Sequence, residues 1–355
     1  MKIWKKLLLW LGIGLEIVLL CGAGLVTWLL ITEYRPAQTE AVQVDGADGA
    51  WMLGTEFSVL TWNIGYCGLG AESDFFMDGG SMVRPESEAV IFRNLEGIRD
   101  RLLELKPDFI LLQEVDVDSR RSYGVDEAAE LRGALLRDSA FALNFSCDYV
   151  PYPWPPIGKV HSGLLSFSSC GIRQADRISL PCPFPWPMSV ANLKRCLLVS
   201  RVSLPGTERE LVLVNLHMEA YDDGAGKLTQ SRRLREFVEQ EYARGNYVIA
   251  GGDWNQLFPD TETRWKNTHP ELWLPGALDR SELADGWRYV WDDSVPSCRL
   301  LNQPYDPKDE ENSQYYGIDG FLVSPNLSIE SVQTLEEGFA YTDHNPVLLH
   351  VTLEE

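Results

Sequence analysis

The stretch YVIAGGDWNQLFPD, residues 247–260, decides the reading of this chain: an apolar β-type run enters two glycines and then presents Asp253 and Asn255 two positions apart. A residue without Cβ lets the backbone pass close to a site or turn sharply into it. Taken alone, Asp253 serves equally well as a cap for the next segment. Other strand ends change that. Asn63 closes FSVLTWN (57–63), Glu114 closes DFILLQE (108–114) and His217 closes LVLVNLH (211–217). Asp319 opens DGFLV (319–323), and Asp343 with His344 precedes the last strand in YTDHNPVLLHV (341–351). Each has a plain structural reading as a turn or cap residue, but strand ends in layered α/β folds converge in space and commonly form the site.

The surrounding pattern is that of a single α/β domain over residues 55–355. SEAVIFRNLEGIRDRLLEL (87–105) sets Val90, Ile91, Leu95, Ile98 and Leu102 on one helical face, with Ser87 as N-cap and Pro107 as the stop. Further helices are expected at 126–137 and 227–243, and strands at 163–168, 195–204, 210–217, 246–252, 318–323 and 346–353. Several neighbouring strands lack an intervening helix, so mixed or antiparallel sheets covered by helices fit better than a parallel sheet.

The N-terminus carries a separate message. Residues 1–6 form a basic, cytoplasmic lead with Lys2, Lys5 and Lys6, and residues 7–31 are an apolar run broken only by Glu16. That length spans a bilayer, and the charge asymmetry sets the N-terminus inside and the rest outside as a single-pass signal anchor. A cleaved signal peptide ranks second, since no small-residue cleavage site is evident. A lipoprotein signal at Cys21 ranks third. Residues 32–54 read as a polar linker. The seven cysteines match no zinc spacing, and their pairing stays open.

A chain of 355 residues with 45% hydrophobic residues buries a substantial core, and the domain is expected to be a monomer. Its formal charge of −21 argues against a broad basic face, so no stable nucleic-acid partner is expected. A cation among the carboxylates would supply positive charge locally. Asn63 and Glu114 offer hard oxygen ligands suited to Mg²⁺ or Mn²⁺, with Asp343 as a third metal residue. His344 is the candidate base for activating water, and Asp253 could exchange roles with it. No Ser or Cys nucleophile is required, so direct attack by activated water is expected.

The ordered set Asn, Glu, His, Asp-x-Asn, Asp, Asp-His, carried by TWN, QEV, GGDWN and TDHNPV, resembles the endonuclease/exonuclease/phosphatase superfamily. This group includes pancreatic-type deoxyribonucleases, abasic-site endonucleases and neutral sphingomyelinases. The resemblance implies an α/β (α+β) fold: a four-layer sandwich of two mixed, mostly antiparallel β-sheets flanked by helices, here preceded by one transmembrane helix. It also implies Asp253 beside the attacking water, Asn255 and His217 on the phosphate oxygens, and Asp319 behind His217 as its orienting carboxylate. Inositol polyphosphate phosphatases carry an Arg after Asp-x-Asn and a Trp-Cys-Asp-Arg run, and GGDWNQLFP with YGIDGFLVS lacks both.

The substrate is less determined. YVPYPWPPIG (149–158) and LPCPFPWPMS (180–189) place Trp154 and Trp186 on proline-rich loops, where exposed rings suit a membrane interface or an apolar ligand, or fold back on the core. Lys159 and His161 lie where relatives often contact substrate. The loop GYCGLGAESDFFMDGGSMVRP (65–85), with Asp74, Asp78, Gly79, Gly80 and Arg84, reads as an ordered surface loop able to shape a pocket. The expected function is a membrane-anchored, Mg²⁺-dependent phosphodiesterase acting on a lipid or other small phosphoester. An extracytoplasmic nuclease is the alternative, and an inactive scaffold the alternative of another class.

Overall fold

Apolar length dictates the first element: Ile3–Ile31 is one continuous helix of mean hydropathy 2.1 in its most apolar window, none of which is buried against the rest of the chain. The computed structural model describes residues 2–46, 53–222, 224–262, 264–309 and 311–354. Along the chain, α1 (Lys2–Ile31) is followed by β1 (Thr39–Val42), β2 (Val44–Asp45), β3 (Glu56–Asn63), α2 (Glu88–Leu105), β4 (Phe109–Asp116) and α3 (Glu127–Leu135). Then come β5 (Asp138–Val150), β6 (Gly158–Ser168), β7 (Gln174–Ser179), β8 (Cys196–Ser203), β9 (Glu210–His217), α4 (Ala225–Ala243) and β10 (Tyr247–Asp253). The last third holds two-residue pieces β11 (Gln256–Leu257), β12 (Gly276–Ala277), β14 (Cys298–Arg299) and β15 (Tyr315–Tyr316). Among them run β13 (Arg288–Val290), β16 (Asp319–Val323), β17 (Leu327–Thr334) and β18 (Val347–Leu353).

Two seven-stranded sheets result, ordered β1-β7-β8-β9-β10-β16-β13 and β17-β18-β3-β4-β6-β5-β2. Within each, one neighbouring pair is parallel, β9–β10 and β3–β4, and the others are antiparallel. The sheets face each other across Val59, Phe109, Leu111, Leu213, Ile249 and Phe321, all buried. Leu234, Phe237 and Val238 of α4 cover the outer face of the first sheet. Ile91, Leu95, Ile98 and Leu102 of α2, with Leu131 of α3, cover the second. The layering is helix, sheet, sheet, helix, as the resemblance implies.

Several expectations shift. The segment read as a linker contributes β1 and β2, which add an edge to each sheet through pairing with β7 and β5; its short β-stretch was hidden by flanking polar residues. The helix expected at 126–137 is α3 and ends at Leu135, because β5 begins at Asp138 with only two residues between. Ser87 does occupy the N-cap of α2, but its side chain makes no capping hydrogen bond, whereas Asp126 accepts one from Ala129 N in α3. The seven cysteines are free thiols.

Candidate active site

The register of β10 assembles the site. Asp253 lies opposite His217 of β9 on one side and opposite Asp319 of β16 on the other, so three polar side chains converge at one sheet end. The glycines before it have a packing reason. A Cβ on Gly252 would stand 1.9 Å from the carbonyl oxygen of Leu216, and one on Gly251 would stand 2.5 Å from the Phe321 ring. Neither neighbour can yield without opening the sheet. Beyond Asp253 the chain turns through Asn255 at φ 49°, and Asn255 N donates to Asp253 Oδ1 at 2.8 Å, closing an Asx-type turn.

The second sheet supplies the facing residues. Glu114 sits at φ 54° where the β4–β6 register shifts between Leu112 and Val115, so a bulge turns its carboxylate toward the cleft. Asn63 Nδ2 donates to Asp253 Oδ2 at 3.0 Å and to Glu114 Oε1 at 3.3 Å, bridging the two sheets. Thr342 donates to Asn63 O and holds Asp343 Oδ1 at 3.2 Å. His344 Nε2 faces Asp253 Oδ2 and Asp343 Oδ2, each at 3.8 Å, while its Nδ1 meets Asp319 Oδ2 at 2.8 Å.

That last contact corrects one expectation: Asp319 orients His344 and not His217. His217 presents Nε2 to Asp253 Oδ2 at 3.5 Å, and its Nδ1 has no hydrogen-bond partner among the described residues. The choice is made by Ser297, whose hydroxyl donates to Asp319 Oδ2 at 2.7 Å and accepts from Asp319 N, turning the carboxylate toward the His344 side.

Burial sets the electrostatics. Desolvation, with Asp319's charge, pushes Asp253 up to about 7 against the opposing pull of His344. Burial also raises Asp343, with Glu114 adding repulsion, and lifts Asp78 to about 6 despite a hydrogen bond from Tyr221. Burial alone would lower His344, but the charges of Asp319 and Asp343 win and hold it well above 6.5. His217 lies well below 6.5, through burial and then Arg195, and is therefore neutral.

These groups line one cavity of about 700 Å³. Asn63, Glu114, His217, Asp253, Asn255, Asp343 and His344 all reach it, and Trp186 forms part of its wall. Asp319 stays behind His344 and is not in the wall. Trp154, Lys159 and His161, expected at the substrate, do not line the cavity: Trp154 is 90% exposed, Lys159 pairs with Asp118, and His161 Nε2 lies 3.8 Å from Asp148. Ser162 does line it, and the period-two alternation of β6 turns residues 159 and 161 to the other side. The loop 65–85 contributes Tyr66, Leu69 and Phe75 to Asp78 and so walls the pocket.

Arg121 and Tyr221 were missed. Arg121 forks onto Asp116 at 3.1 and 3.0 Å, stacks 3.8 Å over the Tyr66 ring and approaches Glu114 to 3.8 Å. It lies in the loop SRRSYG with no signal to separate it from Arg120. Tyr221 donates to Asp78 Oδ1 at 2.9 Å.

The donor set suits a hard divalent cation. Three carboxylates at the cavity, Asp78, Asp253 and Asp343, are raised by burial, and Asp343 is raised further by the charge of Glu114. Such a concentration of buried carboxyls, opposed by His344 and Arg299 and yet still raised, is what a cation relieves. Donor atoms of Asp253, Asp319 and His344, and of Cys298, Asp343 and His344, also lie within 4.8 Å of one another, although the first trio is accounted for by the Asp319–His344 hydrogen bond.

Residues 60–344 match the model of the Endonuclease/Exonuclease/phosphatase family. Among solved structures, an endonuclease/exonuclease/phosphatase from Beutenbergia cavernae has a TM-score of 0.57 at 18% identity, covering 84% of this chain and 72% of that one. One from Bacteroides vulgatus has a TM-score of 0.51 at 15% identity, covering 85% and 100%. D. rerio TDP2 complexed with single strand DNA product has a TM-score of 0.51 at 13% identity, covering 84% and 100%. At these identities the likeness is one of fold. No curated protein matches the chain. Members of the family are hydrolytic phosphoesterases or nucleases that use divalent metals, and the match over residues 60–344 establishes that this chain belongs to the endonuclease/exonuclease/phosphatase family.

Proposed function

We propose that the protein is a membrane-anchored phosphodiesterase that depends on Mg²⁺ or Mn²⁺ and hydrolyses its ester by direct attack of water. The observation that carries the reading is the group at Asp253: a buried carboxyl at about 7, fixed by Asn63 and Asn255, beside an imidazole held positive by Asp319. Asp253 accepts the water's proton as the oxygen adds to phosphorus, since a group near the working pH takes up a proton most effectively. Between the two roles open from sequence, the positive His344 suits charge stabilisation on the phosphoryl oxygens better than proton uptake. Neutral His217 and the Asn255 side chain are at hand as further partners. The ester P–O bond breaks on the opposite side, and the departing alkoxide takes a proton from solvent, so one phosphodiester and one water give a phosphomonoester and an alcohol.

Glu114, Asn63 and Asp343 would hold the cation, which when bound polarises a phosphoryl oxygen and offsets developing charge. The apolar helix Ile3–Ile31 supports single-pass anchoring. An aryl phosphodiester assay of the full chain in detergent, with Mg²⁺, Mn²⁺ or chelator, tests the reading: turnover should require the ion and vanish in Glu114→Ala. Equal turnover in chelator would refute it.

A further inference from the structure

The active-site cavity does not end at the catalytic domain. Its wall includes Val26, Leu29 and Leu30 of α1, the helix assigned to the membrane. Val26 lies five residues before the end of α1 at Ile31, about 8 Å along the axis at the usual helical rise. The cavity that holds Asp253 and His344 at one end is therefore bounded at the other by the apolar span itself.

This junction is built. Leu29 is 8% exposed and clusters with Phe145, Val150 and Val190, with Leu25 and Leu30 packed alongside. Just past the helix, Glu33 pairs with Lys194 at 3.0 Å, and the same ammonium donates to Ser189 O at 2.6 Å. Lys194 thus ties the end of α1 to the turn Met188–Ala191, which also lines the cavity. Around it, Tyr152, Trp154, Trp186 and Met188 are 70%, 90%, 66% and 56% exposed. Exposed Trp and Tyr beside the end of an apolar helix are what a membrane interface selects. A water-soluble substrate needs none of this.

We propose that the substrate is a phospholipid-type amphiphile drawn sideways from the bilayer leaflet in which α1 ends. Its apolar chain lies between the last turns of α1 and the wall formed by Phe145, Trp186, Met188 and Val190, and its phosphate reaches Asp253 and His344. The anchor is then one wall of the substrate site as well as a tether. This rests on the phosphodiesterase reading and specifies its substrate. The nucleotide alternative is disfavoured, since bases and sugars gain little from an aliphatic wall inside a membrane span.

The test holds the reacting phosphodiester constant and varies the chain. Full-length protein in nanodiscs receives methyl p-nitrophenyl phosphate, hexadecyl p-nitrophenyl phosphate and the p-nitrophenyl ester of thymidine 5′-phosphate, with Mg²⁺. The hexadecyl ester should exceed the methyl ester in kcat/KM by at least ~10-fold, the scale of apolar pocket discrimination. Val26→Trp and Met188→Trp should each cut that ratio by about 10-fold by narrowing the chain site, while Leu19→Trp, on a part of α1 away from the cavity, leaves it unchanged. A ratio unmoved in both Val26→Trp and Met188→Trp, or preference for the thymidine ester, overturns the lipid proposal and leaves the phosphodiesterase reading standing. Absence of turnover of all three esters overturns that reading, and this one with it.

Discussion

Asp319 Oδ2 stands 2.8 Å from His344 Nδ1 across 25 residues of chain, and Ser297 donates to the same oxygen at 2.7 Å. The pair fixes the ring so that Nε2 faces Asp253 and Asp343, and it supplies the charge that keeps the imidazole protonated when burial alone would discharge it.

Asp319→Asn should lower kcat by about 100-fold, the low end for loss of one preorganised charge-stabilising group. It should also change stability with a definite pH sense. The folded pKa of His344 lies above 6.5, so the stabilisation is fully present below about 6.5 and is lost as pH rises through the folded value. Melting in the presence of chelator should therefore show the variant most weakened below pH 6.5, with the difference shrinking in alkaline buffer.

Asp253 gives the pH–rate profile its acid limb. With its carboxyl near 7, kcat/KM should rise as the group ionises and flatten above, the limb moving to lower pH when the cation is saturating. Asp253→Asn should lose roughly 1,000-fold in kcat and the limb with it. Neutral His217 adds no inflection near neutrality.

Gly252→Ala tests the packing beneath the site. Its Cβ would meet the Leu216 carbonyl at 1.9 Å, so the β9–β10 pairing must open, and a loss above about 4 kcal/mol or failure to fold is expected in urea titration. Gly133 in α3 has nothing within 4 Å of a built Cβ, and Gly133→Ala should stabilise by roughly 0.5–1 kcal/mol.

Glu241 tests the rear of α4. Arg201 donates to both of its oxygens at 2.9 and 2.8 Å, and Asn246 donates at 2.9 Å. Burial raises this carboxyl, but Arg201 outweighs it and the net pKa falls below 4.5. The stabilisation is present above about 4.5 and is lost as pH falls through the lower folded value. Glu241→Gln should cost about 1 kcal/mol at pH 7, since Arg201 loses its two-pronged charged partner but keeps Glu210 at 3.2 Å, with the gap closing in acid.

The strand-end residues were legible because an apolar run that stops on Asn, Glu, His or Asp announces both its end and its polar cargo. Strands such as β7 (QADRIS) and β17 (LSIESVQT) were not: β7 is short and carries Asp176 and Arg177 in its middle, and β17 is an edge strand that buries only its two end residues. The partner of Asp319 escaped for a different reason. Asp253 neighbours both Asp319 and His217 in the sheet, and only the Ser297 contact and the bridge between Cys298 and His344 decide which imidazole the carboxylate meets. Sequence order carries no trace of that choice. Nor could it reveal that Val26, at the heart of an apolar run, borders the active site.

The central claim, metal-dependent attack of water on a phosphodiester, is tested most directly by turnover of hexadecyl p-nitrophenyl phosphate in oxygen-18 water. Full-length protein with Mg²⁺ should place one heavy oxygen on phosphorus per turnover, and chelator or Glu114→Ala should abolish the reaction. Heavy oxygen in the phenol, or turnover indifferent to chelator and to Glu114→Ala, would contradict it.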